Sequence, residues 1–361
     1  MTEKQAARRT PDHFTGCLLA GAVGDALGAA IEFMSLDQIR HAYGESGLTG
    51  YAPVYGRTGA VTDDTQMMLF TAEGLVLSRI RPEYPGNDGL IRCIYHALLR
   101  WLTTQQPDRQ TGLIQSHGTC AIVEGVLTGH AALFSRRAPG NTCLSALASG
   151  TMGTPEHPVN DSKGCGGVMR IAPVGLAFTD PEKAFDTGCR SAAITHGHAT
   201  GYLAAGTLAA IISLIITGHS LSDAVNAGIR ILTQQKNAKE TLDAVTTAVE
   251  TALRAAPSPE TVETLGAGWI AEEALGIGLY CAMAHETDMA KALLLSVNHS
   301  GDSDSTGTIA GNILGALHGR SAIPPHWIDD LELNGLIEET AMDLYDEFVS
   351  KRLKQPYALH P

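Results

Sequence analysis

Apolar residues along this chain recur three and four positions apart, with almost no alternation of period two. That spacing predicts helices and little strand. Leu18, Ala22 and Ala26 share one stripe of a helix expected over 12–33, opened by Pro11 and Asp12. A second clear helix is expected over 63–80. Ile91, Ile94, Leu98 and Trp101 mark a third over 90–103. Asp180-Pro181-Glu182 is a well-formed helix start, with a capping side chain, a first-turn proline and an acid near the positive end. The stretch 201–218 (GYLAAGTLAAIISLIITG) has no charge and approaches the length of a membrane span. It lacks Lys/Arg anchors and a Trp belt, so it reads as a buried central helix rather than a membrane segment. Amphipathic helices follow over 220–235 and 239–255, then helices over 270–284, 287–297, 304–318 and 336–353. Residues 41–60 and 150–167 read as loops, dense in Gly.

The length of 361 residues has room for two domains. No linker or internal repeat divides the chain, so one large all-α domain is expected over 12–361, behind a loose N-terminal tail over 1–11. The basic residues of that tail, Lys4, Arg8 and Arg9, offer a contact arm as the alternative to simple looseness.

Composition sharpens this picture in three ways. Aromatics are 5% and hydrophobics 44%, so small and aliphatic side chains must fill the core. Glycine is abundant at 39 residues without a collagen-like period, and much of it falls inside expected helices or beside acidic motifs. The net charge of −13 disfavours nucleic acid as a partner, because phosphate binding needs clustered cations. An anionic small ligand is still admissible if a metal supplies the positive charge. The seven cysteines show no CxxC pattern and read as free thiols, Cys17, Cys93, Cys120 and Cys143 among them in apolar helical contexts. Together with an N-terminus lacking any apolar run, they place the protein in a reducing, cytoplasmic setting.

Two acidic clusters carry the candidate chemistry. One is Thr62-Asp63-Asp64-Thr65-Gln66; the other is His299-Ser300-Gly301-Asp302-Ser303-Asp304-Ser305. Each precedes an apolar helical run. Capping accounts for one acid per helix: Asp63 with Gln66 makes a capping box, and Ser303 or Asp304 caps the second helix. It leaves the adjacent acids unexplained. Neighbouring carboxylates repel unless a cation lies between them, and hard oxygen donors suit Mg²⁺ or Mn²⁺. Asp25 and Glu32, seven apart on the first expected helix, are two more acids on an apolar face. Lys163-Gly164-Cys165-Gly166-Gly167, ahead of an apolar run, offers backbone N–H groups for a phosphate or a plain turn. His196 and His198 have a zinc-like spacing but no third soft ligand nearby.

At these residues the chain resembles the ADP-ribosylglycohydrolase family. The matching pieces are GDALG with the following IEF, TDDTQM, KGCGGVMRIAPVG, THGHATGY and GDSDSTGTIAGNILGALHG, in the family's order across 16–319. GDSDSTG and THGHATGY are similar to the ADP-ribosylarginine hydrolase branch, and GDALG to IEF is similar to the dinitrogenase reductase-activating glycohydrolase. The resemblance implies a compact orthogonal helical domain with a binuclear metal cleft holding two Mg²⁺ or Mn²⁺. It implies metal ligation by Thr62, Asp63, Asp64, Asp302, Asp304 and Ser305, with Ser305 standing where many members carry Thr. Glu32 matches the family glutamate near the metals and is the first candidate for activating water, with Asp63 or Asp64 as rivals. Gly164, Gly166 and Gly167 match a loop approaching the ADP-ribose diphosphate, and His196 the histidine of the TH motif. Asp25 is expected behind the ligands, orienting them.

The activity so implied is removal of ADP-ribose from arginine side chains of modified proteins, releasing ADP-ribose. The alternatives are hydrolysis of serine or O-acetyl linkages and an immunity or regulatory protein that binds an ADP-ribosyltransferase or ADP-ribose.

Overall fold

The computed structural model describes residues 7–81 and 86–352; the side chain of Cys120 lies outside this description. The first half of the chain forms α1 (Pro11–Gly28), α2 (Leu36–Tyr43), α3 (Asp63–Ile80), α4 (Gly86–Gln105), α5 (Gln110–His117), α6 (Thr119–Val123), α7 (Asn141–Ala148) and α8 (Ala172–Ala177). The second half forms α9 (Pro181–Ala193), α10 (Ala199–Ile216), α11 (Leu221–Thr233), α12 (Lys239–Arg254), α13 (Pro259–Glu263), α14 (Ala271–Ala284), α15 (Met289–Val297), α16 (Ser303–His318), α17 (Pro325–Asp330) and α18 (Asn334–Tyr345). Among the described residues there is no strand; two isolated bridges join Val54 to Arg57 and Gly164 to Ile270.

The centre of the fold is an antiparallel pair, α1 against α16, in backbone contact. A Cβ on Gly24 would fall 2.0 Å from the Gly307 carbonyl oxygen, and one on Gly311 would fall 2.0 Å from that of Ala20. Nearer the acidic end, a Cβ on Gly28 would lie 2.3 Å from the Asp304 amide nitrogen. The glycine excess inside these helices is therefore the means of bringing two backbones together. Because the pairing is antiparallel, the last turn of α1 meets the first turn of α16, where the second acidic cluster begins.

Around this pair a continuous core of Leu, Ile, Val and Ala takes in α3, α4, α8, α10, α14, α15 and α18. A smaller core joins α9, α10 and α11 through Phe185, Leu203 and Leu232. Helix α10, long and apolar enough for a membrane span, is 89% buried inside the protein. Its position matches the central helix expected from sequence.

Three expectations are corrected. The first helix stops at Gly28, and residues 29–33 wind as tight turns, with Ile31 N–H bonding Gly28 O and Met34 N–H bonding Ile31 O. Glu32 is thus off the helix and does not share a helical face with Asp25. The N-terminal tail is tied down from Arg8: its N–H bonds Ile216 O at 2.8 Å and its guanidinium reaches Ile215 O and His219 O. Arg9 donates to Leu176 O and Phe348 O and lies over the Phe14 ring. Both guanidiniums are engaged by the protein's own carbonyls, which removes the basis for a contact arm there; Lys4 lies outside the described residues. Finally, the last expected helix ends at Tyr345 and continues as a wider π turn over Asp346–Ser350.

Candidate metal centre and substrate cleft

The first acidic cluster is set by α3. Its N-cap is Thr62, whose side chain accepts the Asp64 N–H at 3.3 Å. Gln66 does not close a capping box on Asp63; its amide donates to Ser135 O and its carbonyl accepts from Trp101 and Gln105. Asp302 stands at the N-cap of α16 but makes no capping bond. Asp304 Oδ1 accepts the Ser305 N–H at 2.9 Å, but no carboxylate caps either helix from its N-cap position, so capping does not account for both clusters.

They converge. Ser305 Oγ donates to Asp64 Oδ1 at 2.9 Å, joining the two clusters side chain to side chain. One carboxylate oxygen from each of Glu32, Asp302 and Asp304 lies within 4.8 Å of the others. Asp63 accepts the Gly140 N–H at 3.4 Å. All five acids are buried: Glu32, Asp63, Asp64, Asp302 and Asp304. Glu32 Oε2 is buried without a hydrogen-bond partner.

Burial raises the pKa of each of these groups, and in all but Asp304 repulsion from neighbouring acids adds to it. Glu32 is pushed up to about 11, by desolvation first and then by Asp304, Asp302 and Asp63. Asp63, Asp64 and Asp302 rise well above the usual carboxylate range, again by burial first and Asp304 second. Asp304 rises by burial, opposed by hydrogen bonds that include Thr62. No cationic side chain figures among the leading causes of these shifts. Oxygen-only donors, one of them orphaned, whose charged forms burial disfavours, fit a hard divalent cation.

Behind the acids stands Asp25, fully buried. It accepts the Thr62 N–H on both oxygens, at 3.0 and 2.9 Å, the Thr65 N–H at 3.1 Å, and the Thr65 hydroxyl. Arg137 and Glu332 brace the same loop from the other side: Arg137 donates to Val61 O, and Glu332 accepts the Val61 N–H.

The acids form the floor of a cleft of about 700 Å³. Gly164, Gly166 and His196 line it. Gly167 is buried, a Cβ there falling 2.9 Å from that of Ala192. The Gly loop is a single 3₁₀ turn over Cys165–Gly167 rather than the start of an α-helix. Two of its N–H groups are already satisfied: Gly164 by Ser162 Oγ and Cys165 by Trp269 O. The glycine at 166 answers to packing, since a Cβ there would lie 2.7 Å from Cys143 Sγ and 2.9 Å from the His196 ring. His196 is buried, bonded through Nδ1 to Thr195 Oγ1 at 2.9 Å, and pushed down to about 3 by burial and then by Arg170. It is a neutral imidazole at the cleft wall. His198 caps α10, accepting the Thr200 N–H, and His299 bonds Thr306; neither joins the acids.

Residues to which the sequence reading gave no role at the site also line this cleft. Phe33 and Trp269 stack at its rim. Cys165 Sγ donates to Asp302 Oδ2 at 2.8 Å. Arg136 lines the opening. Behind the wall, Arg170 holds the Gly loop through Gly166 O at 2.6 Å and Thr195 Oγ1 at 2.9 Å. Trp269 and Arg136 lie outside the matched motifs and carry no local sequence signal. Arg170 lay inside KGCGGVMRIAPVG, where an arginine in an apolar run was the available cue.

The chain is similar to known proteins over most of its length. The family model described as ADP-ribosylglycohydrolase matches residues 5–354. The chain is 26% identical to ADP-ribosyl-[dinitrogen reductase] glycohydrolase of Rhodospirillum rubrum, over 89% of this chain and 91% of that one. It is 24% identical to ADP-ribosylarginine hydrolase Tri1 of Pseudomonas putida (strain GB-1), over 95% and 82%. A solved structure titled ADP-ribosylglycohydrolase-related protein complex shares the fold, with a TM-score of 0.60 at 23% identity, covering 94% of this chain and 98% of that one.

Proposed function

The chain belongs to the ADP-ribosylglycohydrolase family, and on that premise we propose that it is a metal-dependent hydrolase that removes ADP-ribose from modified arginine side chains. The observation that carries this reading is the meeting of Asp63, Asp64, Asp302, Asp304 and Glu32 on the floor of one cleft. Thr62, Asp63, Asp64, Asp302, Asp304 and Ser305 would hold two Mg²⁺ or Mn²⁺ ions. Such ions, when bound, fix sugar hydroxyls and acidify water.

The bond to be cut joins the ribose anomeric carbon to a guanidino nitrogen, and its cleavage passes through an oxocarbenium-like state. Glu32, whose buried Oε2 has no protein partner, would accept the proton of the attacking water. Its raised pKa comes from burial and neighbouring acids, and cations among those acids favour its ionised form. Asp63 is the rival base. The guanidinium is already protonated and departs as neutral guanidine without a dedicated acid. Neutral His196 and the Gly164–Gly167 turn, with Gly166 at the wall, would bound the ADP-ribose. Asp25 would act by holding the Thr62–Asp64 loop. The free thiols of Cys17, Cys143, Cys165, Cys189 and Cys281 suit a reducing, cytoplasmic setting.

The test is release of ADP-ribose from arginine-, serine- and acetyl-linked substrates side by side, with Mn²⁺ and with EDTA. Arginine-linked label should be lost with metal and kept with chelator. Preference for another linkage rejects the arginine assignment. Activity surviving both chelation and Asp304→Ala rejects the metal site.

A further inference from the structure

The rim of the cleft holds two aromatic rings that the hydrolytic mechanism does not use. Phe33 and Trp269 stack with centroids 5.6 Å apart and planes 18° apart. They remain 72% and 42% exposed, although large aromatics are usually well buried. Both are held from below. Phe33 follows Glu32 in the tight turns after α1, and that stretch is anchored where the Leu36 N–H bonds Ser300 Oγ. Trp269 follows Gly268, where a Cβ would lie 3.2 Å from that of Asp302, and its carbonyl accepts the Cys165 N–H. Each ring therefore sits one residue from a segment that touches the acidic floor.

The cleft is polarised. Arg136 is the one Lys or Arg among its lining residues, and it is the group suited to a diphosphate. Arg136, Asn141 and Thr142 also line an adjoining groove of about 400 Å³, which Phe33 and Trp269 do not enter. An extended ADP moiety has room and charge on that side. The aromatic side adjoins Glu32, which precedes Phe33, and Asp302, which packs against Gly268; these two and Asp304 each place a carboxylate oxygen within 4.8 Å of the others. A planar cation stacks on aromatic faces and is favoured in such a field.

We propose that the stacked Phe33–Trp269 pair receives the guanidinium of the modified arginine, so that the rim selects substrates by their linkage. The proposal rests on the arginine-hydrolase reading above and assigns the leaving-group subsite of the same cleft. The rings are positioning residues: they orient the guanidinium over the floor and take no part in proton transfer.

The experiment compares wild type with Phe33→Ala, Trp269→Ala and the conservative Trp269→Phe. Peptides of one sequence carry ADP-ribose on arginine or on serine. Loss of a cation–π platform predicts about a 3- to 30-fold fall in kcat/KM on the arginine-linked peptide for each alanine variant. Trp269→Phe should recover most of it. Turnover of any serine-linked label and the Kd for ADP-ribose, by calorimetry, should change less than about twofold. In parallel, arginine amide is titrated into wild type saturated with ADP-ribose while Trp emission is followed. Trp101 and Trp327 are buried, so Trp269 dominates the response.

A saturable emission change that Trp269→Phe abolishes supports the platform. Equal losses on both linkages, or a matching rise in the ADP-ribose Kd, overturn it; the latter would assign the rings to adenine. No emission change together with unaltered kcat/KM also overturns it. If wild type fails to cleave the arginine linkage but arginine amide still perturbs Trp269, the hydrolase reading fails while the guanidinium subsite stands.

Discussion

Asp25 accepts the Thr62 backbone N–H on both of its carboxylate oxygens, at 3.0 and 2.9 Å. The bond ties the last part of α1 to the N-cap of α3 and fixes the loop that carries Asp63 and Asp64. Asp25→Asn would replace one acceptor oxygen with a donor facing an N–H. Removing such a support behind metal ligands typically weakens metal affinity about 10- to 100-fold. Calorimetric titration with Mn²⁺ should show that loss with helical content unchanged. Unaltered Mn²⁺ affinity would make Asp25 a packing residue only.

The α1–α16 contact makes a second prediction. In Gly307→Ala the new Cβ would lie 2.5 Å from Gly24 O, and in Gly28→Ala 2.3 Å from the Asp304 nitrogen. Backbone cannot yield as a flexible side chain does, so each should destabilise by at least about 1–3 kcal/mol. Gly28→Ala should also weaken Mn²⁺ binding, since it displaces the first turn of α16. Gly335→Ala meets nothing within 4 Å and serves as the control, within about 0.5 kcal/mol of wild type. Urea melts of the three variants decide this.

These two relationships mark how far the sequence was legible. The helices were readable because their apolar stripes repeat, and α10 because an uncharged 18-residue run without anchors has to be buried. The acidic clusters were readable as a surplus: two adjacent acids exceed what capping needs. The end of α1 was not readable. Ala29-Ala30-Ile31 continues an apolar pattern, and the tight turns that swing Glu32 inward depend on contacts with the loop before α16. Short α2 was missed because it buries only Leu36 and Ile39, too few for a repeating stripe, although Ser35 and Gln38 form a capping box at its start. The docking of Arg8 and Arg9 depends on carbonyls more than 160 residues away, which no local pattern encodes. The Phe33–Trp269 stack is likewise a long-range pairing between two turns.

Titration of the acid floor gives the third prediction. Asp25 is pushed up to about 7 and Glu32 to about 11, and Asp63, Asp64, Asp302 and Asp304 also rise. A raised folded-state pKa gives stability that is full below the unfolded values, near 4, and is lost as pH climbs through the folded values. Divalent cations oppose the loss by favouring the ionised acids. The gap in Tm between Mn²⁺-loaded and chelated protein should therefore widen from pH 5 to pH 8. Buried His96 and His196, pushed down to about 4 and about 3, have the opposite sign: their stability is present above about 6.5 and is lost as pH falls. That slope is common to both samples and cancels in the difference. A gap that stays constant with pH, by scanning fluorimetry, would remove these acids as the metal site.

Cys165 supports the last prediction. Cys17, Cys93, Cys143, Cys189 and Cys281 are buried, whereas Cys165 is partly exposed and lines the cleft beside Asp302. Burial, and then Asp302, push its thiol well above the usual range. The thiolate is the reactive form, so alkylation by iodoacetamide should be slow at pH 7 and faster as pH rises. Modification at this one position should block the cleft, and bound ADP-ribose should protect against it. Peptide mapping should place the adduct on Cys165, and Cys165→Ser should leave the protein insensitive to the reagent. Rapid modification at pH 7 would contradict the bond to Asp302, and inactivation that persists in Cys165→Ser would detach the inhibition from this cleft.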